Sequence, residues 1–326
     1  MKTKQLPEDF VVEEIISIPK GGGEQTYFWL TKKNWTTEAA IREVSRRLGI
    51  SGRRFKFAGS KDRIAVTKQL VSVFKVPKER LENLSIKDIQ IQIAGQGDAP
   101  ISLGTLKGNR FEITARDLAK KDLEKLKKNL PAAKNKGFRN YFGEQRFGFG
   151  NTHLIGKAIL QGDLKGAVKE LLKQKEFRLE KSVALWLERQ PSDFAGALRT
   201  LPKHIRKLYV HAYQSYLWNS ALEKLSTPKG KLPVPGFKTK LSRDKFSKEI
   251  KKLLEKDFLS LESFLCRRMP ELAVEGDKRQ AIVKPKKLKA FPEETDELNK
   301  SKSKVLLKFE LPKGCYATVL LKFLFS

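Results

Sequence analysis

Apolar positions in the first third of the chain recur at two different spacings. Residues 9–19, DFVVEEIISIP, alternate as a strand does, and 21–34, GGGEQTYFWLTKKN, read as a glycine turn entering a second strand. Residues 37–50, TEAAIREVSRRLGI, change period. Ala40, Ile41, Val44 and Leu48 fall on one helical face, with Thr37 as N-cap and Gly49 where a C-cap belongs. FKFAGSKD (55–62) and AVTKQLVSVFKV (65–76) follow as strand, turn, and strand or short helix. ISLGTLKGNRFEITARD (101–117) predicts a hairpin turning at Lys107, Gly108 and Asn109. AKKDLEKLKKNLPAAKNKG (119–137) predicts a charged amphipathic helix ending at Pro131.

From about Asn151 the spacing is helical, in THLIGKAILQGDLKGAVKELLKQ (152–174) and HIRKLYVHAYQSYLWNSALEKLS (204–226). Strand patterning returns in KSKVLLKFELPKGCYATVLLKFLF (302–325). The simplest account is an α+β chain whose β-rich domain, 1–151 with 278–326, is interrupted by a mainly helical insertion at 152–277. No repeat of solenoid period is present.

Composition narrows the partner. The 326 residues carry 67 Lys and Arg against 37 Asp and Glu, a formal charge of +30. Such an excess points to a polyanion. The insertion carries roughly +10 of it and the remainder roughly +20. Cys266 and Cys315 lie far apart, as in a reduced compartment without a disulfide framework. The start, MKTKQLPEDF, lacks a signal-peptide run, and no stretch approaches the ~20 apolar residues of a membrane span. A soluble, cytoplasmic protein acting as a monomer, with no membrane partner, is expected.

Several chemistries find no support. His153, His204 and His211 make no metal-ligand spacing, so no metal is expected. No P-loop occurs, and the glycines of GFGNTHLIG (148–156) lack dinucleotide-binding context, leaving Gly148 and Gly150 as turn residues. Two features remain. In FRNYFGEQRFGFG (138–150), Phe138, Tyr141, Phe142, Phe147 and Phe149 interleave with Arg139, Asn140, Gln145 and Arg146, a mixture suited to unstacked bases or to a loop that plugs its rings into a core. In FKFAGSKDRIAVTKQ, Asp62 sits between Lys61 and Arg63. That arrangement is a solvated turn or the seat of chemistry.

KTKQLPEDFVVEE, FAGSKDRIAVTKQ, NYFGEQRFG, YQSYLWN and LPKGCYAT occur in this order along the chain. Together they resemble the TruD family of tRNA pseudouridine synthases. The 152–277 segment matches less closely and is comparatively short, and Cys315 stands where the family often has serine. The resemblance implies the pseudouridine synthase fold, a mixed, largely antiparallel sheet with flanking helices, carrying an inserted TRUD domain, with both facing a cleft for tRNA. It implies isomerisation of a uridine, at position 13 of the D arm, without a cofactor. Asp62 resembles the catalytic aspartate, acting as nucleophile or as base. Lys4 resembles the cation that favours its ionised form. Phe142 resembles the aromatic that stacks on the target base, and Asn140 the polar residue that holds base and aspartate. Phe10 and Gln69 are expected as supports, with Lys61, Arg63, Arg139 and Arg146 meeting RNA. Extruding the base costs a few kcal/mol, which phosphate contacts offset. The alternative class is a basic RNA-binding or assembly factor of the same fold without turnover. A metal-dependent nuclease would want clustered acids, whereas Asp62 stands among cations.

Overall fold

The computed structural model describes residues 1–19, 21–148, 150–173 and 178–326. Phe149 and Gln174 of the stretches above therefore lie outside the described residues. The chain divides into two compact units, Met1–Gly137 with Lys284–Ser326, and Phe138–Val283.

In the first unit, strand β1 (Phe10–Ile16) buries alternate residues, as its sequence requires. It is followed by β2 (Gln25–Lys33), helix α1 (Thr37–Leu48), β3 (Phe55–Phe57), β4 (Val66–Phe74), β5 (Ile89–Gly97) and β6 (Leu106–Leu118). Among the described residues the sheet has nine strands. Its main path runs Lys286–Ala290, Ser303–Pro312, β6, β1, β4, β2, β5, while Glu294–Thr295 pairs with Ser303–Pro312 and β3 with β4. β1 lies parallel to β4 and antiparallel to β6, so the sheet is mixed. Ala40, Ile41, Val44 and Leu48 of α1 pack into one cluster with Phe28, Leu30, Val71 and Val73 of the sheet. That packing fixes the α1 N-terminus and the turn between β3 and β4 on a rigid base.

Four local expectations change. Thr36, not Thr37, caps α1, its hydroxyl accepting from the Ala39 N–H, while Gly49 closes the helix in the left-handed region at φ 65°. The expected hairpin at 107–109 is instead part of one continuous strand, β6. Gly108 is there because Ser303–Pro312 approaches closely: a Cβ at 108 would stand 2.3 Å from the Leu311 carbonyl oxygen. Helix Lys120–Asn135 runs through Pro131 rather than ending at it. The last apolar run splits into strand Ser303–Pro312 and helix Ala317–Leu324, which buries Ala317, Leu320, Leu321 and Leu324 at helical spacing. Gly108→Ala should therefore lower stability by about 1–3 kcal/mol without altering secondary structure content. A urea midpoint equal to that of the wild type would contradict this packing.

A buried ionic knot ties the N-terminal segment to this unit. Arg116 donates to Asp9 at 2.7 Å and to Asp296 at 3.0 Å, with all three side chains almost fully buried. Two main-chain bonds of 2.8 Å join Lys2 to Arg116. The segment that carries Lys4 is thus built into the fold.

The second unit gathers around the helix Lys203–Glu223, whose Tyr213, Leu217 and Trp218 are fully buried. Helix Thr152–Gln161 packs against it so closely that a Cβ on Gly156 would stand 2.0 Å from the Tyr209 carbonyl oxygen. Phe138–Arg139 pairs with Ile282–Val283, and Lys231–Val234 with Asp277–Gln280. These two ribbons tie residues 138–151 and 278–283, assigned from sequence to the first domain, to the second unit. No described helix is long and apolar enough to cross a membrane.

Candidate active site

Asp62 lies on the turn between β3 and β4, its side chain 42% exposed, and Lys4 Nζ pairs with its Oδ2 at 2.5 Å. Lys4 Nζ also stands 4.2 Å from the centroid of the Phe10 ring. Phe10 is buried and meets Phe111 edge-to-face at 6.3 Å. Of the expected residues, Lys4, Phe10 and Asp62 thus come together in the first unit. An ammonium held between a carboxylate and an aromatic face keeps a cation beside Asp62.

The turn itself is pinned from beneath by polar groups taken out of water. Gln69, fully buried, accepts from the Thr37 hydroxyl at 2.8 Å and donates to the Gly59 carbonyl at 3.3 Å. The Thr37 hydroxyl in turn accepts from the Lys61 N–H at 2.9 Å. Lys32, 1% exposed at the end of β2, donates to the main-chain carbonyl of Asp62 at 3.0 Å and to that of Trp35. Burial pulls its ammonium down to about 8, an effect partly opposed by the Asp62 carboxylate. Gln69 thus bonds to the turn through Thr37 and the Gly59 carbonyl.

Lys61 departs from expectation. Its ammonium pairs with Glu14, a carboxylate with no exposed side-chain surface that also accepts from the Leu70 N–H at 3.0 Å. A cation committed to a buried acid is part of the turn's anchorage and is not presented to phosphate. Arg63 is exposed.

Asn140 and Phe142 belong to the second unit, where Arg279 brings them together. Its guanidinium donates to the Asn140 carbonyl at 2.8 Å, to Asn140 Oδ1 at 2.9 Å and to the Tyr141 carbonyl at 3.2 Å. The guanidinium carbon stands 4.0 Å from the centroid of the Phe142 ring and 5.4 Å from that of Trp218. Asn140 Nδ2 donates to the Gln280 carbonyl at 3.0 Å. Asn219 clamps the Phe142 main chain, accepting from its N–H at 2.8 Å and donating to its carbonyl at 2.9 Å. Trp218 meets the Phe142 ring edge-on at 5.6 Å, and Arg146 stands 5.7 Å from it. A ring so bounded presents a fixed plane.

Arg139 also departs from expectation. Its guanidinium donates to the carbonyls of Leu222 and Glu223 in the last turn of the helix Lys203–Glu223, and to those of Leu225 and Ser226 just beyond it. It caps that helix.

The sequence reading passed over Lys32, Glu14, Thr37 in its supporting role, Trp218, Asn219 and Arg279. Trp218 and Asn219 lie within the YQSYLWN motif, which marks their segment but not their roles. Nothing in the sequence singles out Lys32 or Arg279 among 67 cations.

Comparison with known proteins identifies the family. The family model for tRNA pseudouridine synthase D (TruD) matches residues 1–177, 172–232 and 229–324. A protein of Methanosarcina acetivorans named as a probable tRNA pseudouridine synthase D is 31% identical, covering 98% of this chain and 91% of the relative. One so named from Methanopyrus kandleri is 33% identical over 93% of this chain and 86% of its own. The first alignment runs 407 positions against 326 residues, so that relative has segments this chain lacks. A crystal structure from Methanosarcina mazei carrying the TruD designation superposes with a TM-score of 0.73 at 29% identity, covering 99% of this chain and 93% of that one. With a mixed α+β fold shared across its length and a family match from residue 1 to residue 324, the chain belongs to the tRNA pseudouridine synthase D (TruD) family.

Proposed function

We propose that this protein isomerises uridine to pseudouridine in tRNA, at position 13 of the D arm, with Asp62 as its single catalytic carboxylate and no cofactor. The observation that carries the reading is the Asp62 side chain, 42% exposed and paired with Lys4 at 2.5 Å on a turn anchored by buried groups. Binding alone needs no carboxylate on a surface that must meet phosphate. The reaction needs one. The N1–C1′ bond breaks, the uracil turns, and C5 bonds to C1′. C5 loses its hydrogen and N1 gains one, so substrate and product contain the same atoms. No electrons enter or leave, which is why the chemistry calls for no redox partner. The carboxylate acts at the ribose, as nucleophile on C1′ or as the base that removes a ribose proton, and both roles require its ionised form.

Phe142 stacks on the extruded base, and Asn140, buried with its amide bonded to Arg279 and to the Gln280 carbonyl, steadies the residues beside it. Arg279 holds both in place, and Asn219 holds the Phe142 main chain. Arg63, which is exposed, and Arg146, 5.7 Å from the Phe142 ring, are the cations that meet RNA. The test is carbodiimide mapping of a tRNA transcript incubated with the protein: a primer-extension stop diagnostic of pseudouridine should appear at position 13. Its absence at every uridine would overturn the reading. Phe142→Ala should raise the barrier of the single-turnover reaction by about 1–3 kcal/mol through lost stacking, with Phe142→Tyr much closer to wild type. Equal rates for the alanine variant and the wild type would remove Phe142 from the base.

A further inference from the structure

Phe258 is 93% exposed, so its ring gains almost nothing from the fold. Its backbone is also held at φ 55°, in the left-handed region that disfavours side chains with a Cβ. The reason for that conformation is local. The helix Lys245–Lys256 ends with the Phe258 N–H bonded to the Glu255 carbonyl at 3.0 Å and the Leu259 N–H to the Leu254 carbonyl at 2.8 Å. This pair of bonds terminates a helix through a left-handed residue, normally glycine. Here the position holds phenylalanine. Two costs are thus combined, an unfavourable backbone and an unburied ring, with no return inside the molecule.

The turn is rigid as well. The Asp257 carboxylate accepts from Lys157 at 2.7 Å and from the Tyr213 hydroxyl at 2.8 Å, and its carbonyl accepts from Gln161 at 2.7 Å. Leu259, on the other side, is buried. The ring is therefore presented outward from a fixed backbone. Gln161 and Ser260 also line a hollow of 390 Å³ whose other polar lining is Glu262, Ser263, Arg267 and Arg268. Arg267 is 83% exposed, with its acidic neighbour Glu262 no nearer than 4.0 Å.

We propose that Phe258, with Arg267 and Arg268, forms an RNA-binding site within the second unit, taking one unstacked nucleotide of the RNA substrate. The base stacks on the phenyl ring and the phosphate is met by the guanidinium groups. A single exposed ring, two residues from the Ser260 that lines a hollow with Arg267 and Arg268, suits a planar base better than it suits an apolar protein face, which needs a contiguous patch. The net charge of +30 fits the same partner. This inference rests on the reading that the protein binds tRNA.

The test measures equilibrium affinity for a tRNA transcript in the Asp62→Asn background, so that turnover does not interfere. Phe258→Gly should melt no lower than its parent, because glycine suits the left-handed turn. It should nevertheless bind the transcript about tenfold more weakly, while Phe258→Tyr keeps the parent's affinity. The salt slope should stay unchanged in Phe258→Gly and fall in Arg267→Gln/Arg268→Gln. Equal affinity of Phe258→Gly and its parent would overturn the proposal. So would a change in oligomeric state with RNA affinity intact, since the ring would then serve a protein contact. A failure of the catalytic reading appears elsewhere, as absent pseudouridine with the wild-type protein, and leaves these affinities to be read independently.

Discussion

Asp62→Asn is expected to abolish pseudouridine formation, to below about 1% of wild type, while leaving fold and tRNA affinity in place. The amide keeps the size of the side chain and removes both its charge and its capacity to accept a proton or attack carbon. Stability should hardly move. The main-chain carbonyl of residue 62, which Lys32 grips at 3.0 Å, survives the substitution. Among the interactions lost are a partly exposed ion pair with Lys4, of a kind that contributes about 0–1 kcal/mol, and the attraction to the Lys32 ammonium. Affinity should hold or rise slightly, since a negative charge is removed from a surface that meets phosphate. Single-turnover mapping beside a binding isotherm separates the outcomes. Substantial residual turnover would move the chemistry to another residue. Weakened binding with retained turnover would make Asp62 a binding group. A wild-type protein that binds tRNA and forms no product would instead be the non-catalytic factor of the same fold.

Elements with one buried face were legible in the sequence, because burial writes its period into the residues. β1 and α1 are of this kind. What could not be read was any feature set by a distant segment. Gly108 looks like a turn residue, yet it is required by the Leu311 carbonyl about 200 positions on. The C-terminal run ATVLLKFLF is apolar enough for strand or helix, and only packing chose the helix. The same limit governs the site. Asp62 and Lys4 were found through a motif, and the structure pairs them. A cation's partner, however, is not written beside it. Lys61 reads as a phosphate ligand and turns to buried Glu14, while Arg139 reads as an RNA contact and caps a helix. Lys32 and Lys33 look alike in LTKKN. Strand alternation sends Lys33 outward to Glu8 and Lys32 inward to the turn that carries Asp62.

Lys32 carries the second large effect. Lys32→Met should lower the single-turnover rate about 100-fold at saturating tRNA with little change in affinity, because displacement of a reacting group by about 1 Å costs that much. It is a positioning residue: it holds the Asp62 main chain and touches no part of the RNA in this account. Its charge gives the test that a structural role alone would not pass. Burial lowers the ammonium to about 8 from an ordinary value near 10.5. Between those values the unfolded chain binds the extra proton and the folded one does not. Stability should thus rise with pH over that window, as the penalty for the buried charge is relieved. Activity should move the other way. A neutral amine still has N–H groups for the carbonyls of Trp35 and Asp62, but it no longer places a positive charge near the Asp62 carboxylate. The wild-type rate should accordingly fall as pH rises through about 8, while Lys32→Met stays slow and lacks that limb. Any limb belonging to the RNA is common to both proteins, so their difference isolates the lysine. An identical alkaline limb in the two profiles, or a Lys32→Met rate within threefold of wild type, would reduce Lys32 to a packing residue and leave the turn to Gln69 and Thr37.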